Sequence, residues 1–462
     1  MNHKIIFMPH GNIQYSQLNP AKRAWVIKNS YEKIFDLVEQ NSYKIAFEAS
    51  GETLACMHRE CPEVLQKLKK LVKNGLIEPV GSPFTHLMVS NIDPEICLIT
   101  LKDGINAWEK YTDVRPVTGW NPECSWTSYI PEVYKAAGFK NLIMDGDSFF
   151  LSFPEIREAT GLKYDVRGHS NKNQLFKIEE YIKDKASFLQ YATNPSKAEN
   201  GLFIVFRSDM MSNIMLWYLM GATEENRAEP VTIDEIKKML AAWKQRIDQS
   251  GTFIMPYAED AEYIGTSAYF YVKQFGQARF FEPEPESVNR FKNMLDTSVA
   301  AGYELSTPSA VIKTAKKIIK NDFIMNIENG VAWHGGTAKA WANTKYSRIM
   351  DPVCKSMFDG MKSIAGFLKK DLLKMDSSMQ NALRKVISAY VSDSRWPPDP
   401  TSPGRFNVTE SIEDMLAANE MIKKSMQDNN IQEKRALYSP ELMKSQINNI
   451  KDELLGLKYF GE

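Results

Sequence analysis

Short apolar runs alternate with longer stretches of helical periodicity through the first 280 residues. The runs at 4–11 (KIIFMPHG), 44–51 (KIAFEASG) and 76–82 (LIEPVGS) each end at glycine or a small polar residue, as buried strands do. Between the first two, residues 21–40 carry apolar side chains at helical spacing. Strands that alternate with helices of this length predict βαβ units and a parallel sheet.

The number of these strands favours a barrel over an open sheet. About seven of them precede residue 284, which is enough to close a barrel. We therefore predict an α/β fold, a distorted (β/α)7-type barrel, for residues 1–284. In such a barrel the chemistry lies at the carboxyl ends of the strands.

The pattern changes at residues 282–287 (EPEPES), where prolines and acids alternate. Most of the later segments have helical periodicity, including residues 353–374 and 440–457. We therefore predict an α-helical domain for residues 285–462. Residues 394–406 (SRWPPDPTSPGRF) are rich in proline, which predicts a loop within that domain.

Composition and charge exclude several classes of function. The 462 residues include 57 basic and 57 acidic side chains, a balance that argues against general affinity for nucleic acid or an anionic membrane. There is no apolar run of about 18 residues, so we expect no membrane span, and the N-terminal apolar run is too short for a signal peptide. The five cysteines are scattered, which favours a reduced, cytoplasmic protein without a structural metal.

Polar residues recur where the predicted strands end. Because the carboxyl ends of barrel strands meet at one face, these side chains are expected to line a common pocket. They are His10, Asn12, Glu48, Ser50, Glu78, His86, Glu123, Asp145, Asp147, Arg207, Asp209 and Asp260.

Two of these acids have settings that suit catalysis. Glu123 follows Pro122 between Trp120 and Trp126, and Asp260 directly follows an apolar strand. A carboxylate pair on two strand ends can hydrolyse a glycosidic bond, and aromatic faces stack on sugar rings. The residues alone leave open that Glu123 is a loop acid beside core tryptophans.

Four short segments, taken in their order along the chain, resemble the conserved regions of a known family. They are GLIEPVG (75–81), WNPE (120–123), DAEYIG (260–265) and AWHGG (332–336). Together they resemble the conserved regions of the family 57 glycoside hydrolases, retaining enzymes that act on α-glycans. The resemblance implies that Glu123 is the nucleophile and Asp260 the general acid/base.

The resemblance also implies the residues that shape the substrate pocket. These include Trp333 and His334, so the helical domain is expected to lean over the barrel mouth and contribute to the cleft. His86 and Arg207 could equally be buried scaffold residues, and Arg207 could pair with Asp209 instead of contacting a sugar. The full predicted substrate-binding set is His10, Glu78, His86, Trp120, Trp126, Arg207, Asp209, Glu262, Trp333 and His334.

The first conserved region departs from the family pattern. The family has His-Gln-Pro ahead of Gly-Asn, whereas this chain has FMPHGN (7–12). Aligned on Gly11 and Asn12, the family's histidine position is Phe7, and His10 lies three residues later. The resemblance implies that this segment forms a wall of the pocket, so the exact substrate is open.

We therefore predict a retaining hydrolase or transglycosylase that acts on α-linked glucan or a related oligosaccharide, without a cofactor. A retaining mechanism requires the two carboxyl groups to lie about 5–5.5 Å apart. One alternative is a metal-dependent enzyme resembling a polysaccharide deacetylase, although no two of the six histidines have close metal-ligand spacing. The other alternative is a glycan-binding protein without activity.

Overall fold

The computed structural model describes residues 3–15, 18–164, 171–221, 229–267, 282–327, 330–342, 344–395 and 406–455. Short, mostly buried strands run through the first 320 residues. They are β1 (His3–Gly11), β2 (Ile45–Ala49), β3 (Ile77–Gly81), β4 (Thr118–Trp120), β5 (Asn141–Asp145), β6 (Ser196–Lys197), β7 (Phe203–Arg207), β8 (Phe253–Asp260), β9 (Gly265–Thr266), β10 (Pro283–Glu284), β11 (Tyr303–Ser306) and β12 (Ile319–Lys320).

Seven of the described strands form a parallel sheet that curls into a ring. Strand β1 pairs with β2, and the pairing continues through β3, β4, β5 and β7. The Ser208 N–H donates to the Met255 carbonyl at 3.0 Å, which joins the end of β7 to β8. Strand β8 in turn pairs with β1, with His10 opposite Asp260. This arrangement confirms the predicted (β/α)7-type barrel.

Helices lie between the strands, as the βαβ reading requires. Most carry one apolar stripe that packs against the sheet. They are α1 (Arg23–Val26), α2 (Glu32–Asn41), α3 (Gly51–Glu60), α4 (Pro62–Lys73), α5 (Pro94–Thr112), α6 (Ile130–Ala137), α7 (Gly146–Leu151), α8 (Pro154–Thr160), α9 (Phe176–Ile182), α10 (Ala186–Thr193), α11 (Asp209–Met220) and α12 (Ile233–Ser250).

Side-chain alternation along the strands separates two apolar layers. Ile6 and Met8 of β1 belong to the cluster inside the barrel, together with Trp120 of β4. Ile5 and Phe7 point the other way, into the larger core between the sheet and its helices. Phe7, at the family's histidine position, therefore lies outside the ring, and the next polar side chain inside it is His10.

The sheet continues past residue 284. Strand β11 pairs in parallel with the first half of β1, and β12 pairs with β6. The barrel sheet is therefore not confined to residues 1–284 as we predicted. We propose that the division between the barrel and the helical region lies after residue 320.

After residue 284 the described part of the chain is mainly helical, and two of its helices precede residue 320. Its helices are α13 (Pro285–Ala300), α14 (Pro308–Thr314), α15 (Lys339–Ala342), α16 (Lys345–Phe367), α17 (Ser377–Ser388), α18 (Phe406–Asp428), α19 (Glu433–Ala436) and α20 (Pro440–Leu455). Helices α16, α17, α18 and α20 pack on one another through buried side chains such as Met361, Leu383 and Ile422. Most of the predicted loop at 394–406 lies outside the described residues.

Two features are absent from the described ranges. None of their helices has the length and apolar character to cross a membrane. Nor do they contain a group of three or more His, Cys, Asp or Glu side chains placed to hold a metal ion.

Candidate functional site

Glu123 lies in a tight turn directly after β4. The turn spans Pro122–Cys124, and both Glu123 (φ 59°) and Cys124 (φ 48°) adopt the left-handed backbone conformation. The Tyr134 hydroxyl fixes the preceding strand end by donating to the Trp120 carbonyl at 2.8 Å. Left-handed residues with side chains cost about 1–3 kcal/mol each and cluster at functional sites, so the surrounding structure holds this carboxylate in place against strain.

His10 links the ends of β1, β2 and β8. Its Nδ1 contacts the Glu48 carboxylate, and its Nε2 lies 3.8 Å from Asp260 Oδ1. Burial alone would lower the pKa of His10, but the Glu48 and Asp260 carboxylates raise it to about 10. His10 is therefore a buried imidazolium at neutral pH, and it provides a positive charge next to Asp260.

His86 connects this group to Glu123. Its ring centroid lies 5.1 Å from that of His10, and its Nδ1 lies 3.9 Å from Glu123 Oε1. Burial and the adjacent His10 charge hold the pKa of His86 well below its usual range, so the ring is neutral. The Ser392 hydroxyl lies between them, 2.9 Å from His86 Nδ1 and 3.1 Å from Glu123 Oε1.

A second residue of the helical region reaches the same pocket. Asp393 accepts a hydrogen bond from the Asn12 side-chain amide at 2.9 Å. Burial raises the pKa of Glu123 to about 8, and the carboxylates of Asp393 and Asp260 add to that rise. Glu123 is therefore mostly protonated at neutral pH.

Glu262 forms part of the wall beneath Asp260. Its Oε1 accepts from the Asn12 backbone N–H at 2.9 Å and from the Tyr31 hydroxyl. Burial and the Asp260 charge raise the pKa of Glu262 to about 8. Because these bonds come from β1 and the π-helical turn Ile27–Tyr31, Glu262 ties the end of β8 to two other elements.

Exposure distinguishes the two candidate catalytic acids from the neighbouring carboxylates of Glu48 and Glu262. The side chains of Glu123 and Asp260 keep 13% and 22% of their surface accessible. Glu48 and Glu262 are completely buried. The two acids singled out from the sequence are therefore the ones that a ligand in the barrel mouth can reach without rearrangement of these walls.

Arg207 and Asp209 are predicted site residues that lie below this pocket. The Arg207 guanidinium contacts Asp209 at 3.1 Å, Glu259 at 2.7 Å and Asp145 at 3.5 Å, and it is 2% exposed. Burial raises the pKa of Asp145 and of Glu259 to about 7. Both predicted residues are buried in this ion cluster, so we propose that they hold the strand ends instead of contacting a sugar.

Glu78 lies at the opposite end of the barrel from the predicted site. It occupies the second position of β3, and its carboxylate accepts from the Ser309 N–H at 2.9 Å and the Ser309 hydroxyl at 2.7 Å. Thr118, at the start of β4, also donates to it. The sequence predicted a pocket residue, but the strand position directs Glu78 to the amino-terminal face, where it caps α14.

The predicted tryptophans have different settings. Trp120 lies inside the barrel with its ring 5.9 Å from that of His10. Trp126 is only 1% exposed and belongs to the core, where its backbone N–H donates to the Val331 carbonyl. Trp333 is half-buried against the clusters that contain Trp120 and Met88. The side chain of His334 lies outside the described residues.

Sequence reasoning missed Ser392 and Asp393. The segment SDSR precedes the proline-rich stretch, and no strand end or family motif points to it. Glu48 was noted as a polar strand end but was not included among the site residues. Its complete burial beside His10 makes it part of the site's electrostatics.

The fold and site together define a parallel barrel with accessible carboxylates at the carboxyl ends of its strands. Residues 4–316 match the model of the glycosyl hydrolase family 57, and the chain belongs to that family.

Two similar proteins align with only part of this chain. The chain is 25% identical over 198 residues to an alpha-amylase of Pyrococcus horikoshii, a match that covers 40% of this chain and 31% of that protein. It is 23% identical over 196 residues to a 4-alpha-glucanotransferase of Thermococcus kodakarensis, covering 40% and 30%. The matched segment thus spans about a third of each relative's length.

Solved structures share the whole architecture. A GH57-type branching enzyme from Pyrococcus horikoshii superposes with a TM-score of 0.60 at 14% identity, covering 100% of this chain and 98% of that one. An alpha-amylase from Thermotoga maritima gives 0.62 at 13% identity, covering 96% and 97%. At these identities the likeness establishes the fold, including the helical region after the barrel.

Proposed function

We propose that this protein is a retaining glycoside hydrolase or transglycosylase that acts on α-linked glucan or a related oligosaccharide. The observation that carries the proposal is the accessible pair Glu123 and Asp260 on the ends of β4 and β8, where the neighbouring Glu48 and Glu262 are buried. Membership of glycosyl hydrolase family 57 supports this choice of reaction.

The proposed reaction has two steps. In the first, the Glu123 carboxylate attacks the anomeric carbon while Asp260 gives its proton to the leaving glycosidic oxygen, so a glycosyl ester forms as the C–O bond breaks. In the second, Asp260 takes a proton from water or a sugar hydroxyl, whose oxygen attacks the anomeric carbon and releases Glu123. Water gives hydrolysis, and a sugar acceptor gives transfer.

The first step starts from the ionised form of Glu123, which is the minor form at neutral pH because burial raises its pKa to about 8. An oxocarbenium-like transition state carries positive charge, which the carboxylates of Glu123 and Asp260 stabilise. The His10 imidazolium lies on the Asp260 side and is compensated by Glu48.

The substrate class follows from the relatives. The matched proteins are named alpha-amylase and 4-alpha-glucanotransferase, and both names refer to α-glucan. We propose an α-linked glucose polymer or oligosaccharide as the first substrate to test. The helical region after residue 320 is proposed to cover one side of the cleft through Ser392 and Asp393.

Product analysis on wild type and two isosteric variants tests the assignment. Wild type is incubated with maltooligosaccharides, and the first-formed product is expected to keep the α configuration by proton NMR. Glu123→Gln and Asp260→Asn should each lower kcat at least a thousand-fold, since each removes a group that acts only in the transition state. Glu132→Gln, on the exposed side of α6, is the matched control and should behave as wild type.

Chemical rescue separates the roles of the two acids. Azide should restore turnover of an activated α-glucoside by Glu123→Ala and give the β-glycosyl azide, because azide replaces the missing nucleophile. Full activity in both isosteric variants would refute the catalytic assignment. Glycan binding without turnover by wild type would indicate a binding protein, and release of acetate from an acetylated glycan would indicate the deacetylase alternative.

A further inference from the structure

The turn Ser392–Arg395 lies beyond the residues that match the family, yet it contacts the candidate nucleophile. The family match ends at residue 316, whereas the Ser392 hydroxyl donates to Glu123 Oε1 at 3.1 Å. The motifs that identify Glu123 therefore do not include one of its hydrogen-bond partners.

Backbone pairing holds this turn against the loop that carries His86. The Ser392 N–H donates to the His86 carbonyl at 2.7 Å, and Leu87 forms an antiparallel bridge with Val391. On the other side, the His86 N–H donates to Gln14 Oε1 at 3.0 Å. His86 and Ser392 are therefore fixed relative to each other before any substrate binds.

The direction of the hydrogen bonds follows from counting protons. An ionised Glu123 can only accept, so the single Ser392 hydroxyl proton must point to Glu123 Oε1. The Ser392 oxygen then accepts from His86 Nδ1, 2.9 Å away, which requires the proton of the neutral imidazole to be on Nδ1. His86 Nε2 is left as a buried acceptor without a hydrogen-bond partner among the residues that the structure describes.

We propose that Ser392 is a positioning residue for the Glu123 carboxylate, with its hydroxyl oriented by the Nδ1–H of His86. The helical region thereby supplies part of the apparatus that holds the nucleophile, in addition to covering the barrel. This inference rests on the proposed role of Glu123.

Kinetics on the Ser392 hydroxyl test the proposal. Ser392→Ala should lower kcat about ten- to hundred-fold with little change in KM, because one hydrogen bond to a charged group is lost. The acid limb of kcat/KM should also move to higher pH, since that hydrogen bond stabilises the ionised carboxylate. Ser392→Thr retains a hydroxyl and should recover most of the activity.

Ser394→Ala is the matched control. Ser394 lies two residues further along the same turn, is equally buried, and donates to the Val391 carbonyl without contacting Glu123. The Ser394→Ala substitution should leave the pH profile of kcat/KM unchanged, even if thermal stability falls. If Ser392→Ala and Ser394→Ala have the same kcat and pH profile, Ser392 has only a structural role.

A measurement without substrate separates this inference from the proposed function. In protein labelled with ¹⁵N-histidine at pH 9, the His86 ring should show the Nδ1–H tautomer in wild type and lose that preference in Ser392→Ala. An Nε2–H tautomer in wild type, or the same spectrum in both proteins, would overturn the inference. Failure of wild type to cleave or transfer any α-glucan would overturn the proposed function instead.

Discussion

Two consecutive left-handed residues, Glu123 and Cys124, follow β4. The backbone hydrogen bonds from Cys124 to Asn121 and from Ser125 to Pro122 define this turn and present the Glu123 side chain to the barrel mouth. The proline before Glu123 was visible in the sequence, but the left-handed conformation was not. At this position the strain and the accessible carboxylate coincide, as is common where a fold places a reactive group.

The charge on Asp393 is expected to set the acid limb of the pH profile. Asp393 raises the pKa of Glu123, so Asp393→Asn should lower that pKa and move the acid limb of kcat/KM about one pH unit lower. The asparagine oxygen can still accept from Asn12, so the geometry is preserved. The measurement is the pH–rate profile of Asp393→Asn compared with that of wild type. The control is Asp359→Asn, which removes the same charge from helix α16. An unmoved limb in Asp393→Asn would exclude this electrostatic coupling.

The His10–Glu48 pair is expected to make stability depend on pH. The folded pKa of His10, about 10, lies above its ordinary 6.5, so its contribution is complete below pH 6.5 and is lost as pH rises through 10. Glu48→Gln should therefore destabilise by about 3–5 kcal/mol at pH 6 and much less near pH 10. Thermal unfolding midpoints at both pH values test this. Glu39→Gln, which breaks the exposed pair with Lys70, should shift neither midpoint.

At the scale of elements, the end of a strand on which a residue lies decides its role. Glu78 and Glu48 are both strand carboxylates, but Glu48 lies near the carboxyl end of β2 and Glu78 near the amino end of β3. Residues at the amino-terminal face of such barrels contribute stability, and those at the opposite face contribute chemistry.

Glu78→Ala is therefore expected to affect folding without affecting substrate binding. It removes the acceptors for Ser309 at the start of α14 and for Thr118 on β4, which should cost about 1–3 kcal/mol. Thermal unfolding together with KM and kcat on a maltooligosaccharide measures both quantities. A raised KM with unchanged stability would instead support the predicted role of Glu78 in substrate binding.

Close packing of α5 on the loop before His86 gives a second prediction at this scale. A Cβ on Gly104 would lie 2.0 Å from the Ser82 carbonyl oxygen, so Gly104→Ala should destabilise by about 1–3 kcal/mol. Gly366, in α16, has no neighbouring atom within 4 Å in the described part of the chain, so Gly366→Ala should stabilise by up to about 1 kcal/mol. The same substitution thus has opposite expected signs in two helices, and unfolding midpoints decide between them.

Periodicity located most of the elements that form the barrel. The runs that became β1, β2 and β3, and the helical stretch 21–40 that contains α1 and most of α2, were readable because burial on one or both faces imposes a pattern on the sequence. Strand β11 was not separated from the helical region, because its four residues carry too little pattern and its place beside β1 depends on long-range pairing.

For the whole molecule, the helical region is part of the pocket structure. Asn12 and Gln14 at the end of β1 bind residues of that region, through Asp393 and Asn407. A chain cut after residue 320 keeps every strand of the ring but exposes these groups and the apolar surface beneath α18. We expect this truncated chain to be insoluble on expression or inactive in turnover assays. We expect its solubility and activity to be restored when residues 321–462 are co-expressed. Full activity of the cut chain alone would show that the helical region is dispensable.

The sequence by itself determined the alternating barrel, the change to helices, and the motifs that contain Glu123 and Asp260. These features are local, because burial patterns, turn residues and short motifs each involve residues that are close together in the sequence. Tertiary structure alone decided which polar groups meet. It placed Glu78 at the far face, buried Arg207 among carboxylates, and brought Ser392 and Asp393 to residues nearly 270 and 381 positions away. Such contacts depend on strand order and on helical packing, and no local pattern specifies either.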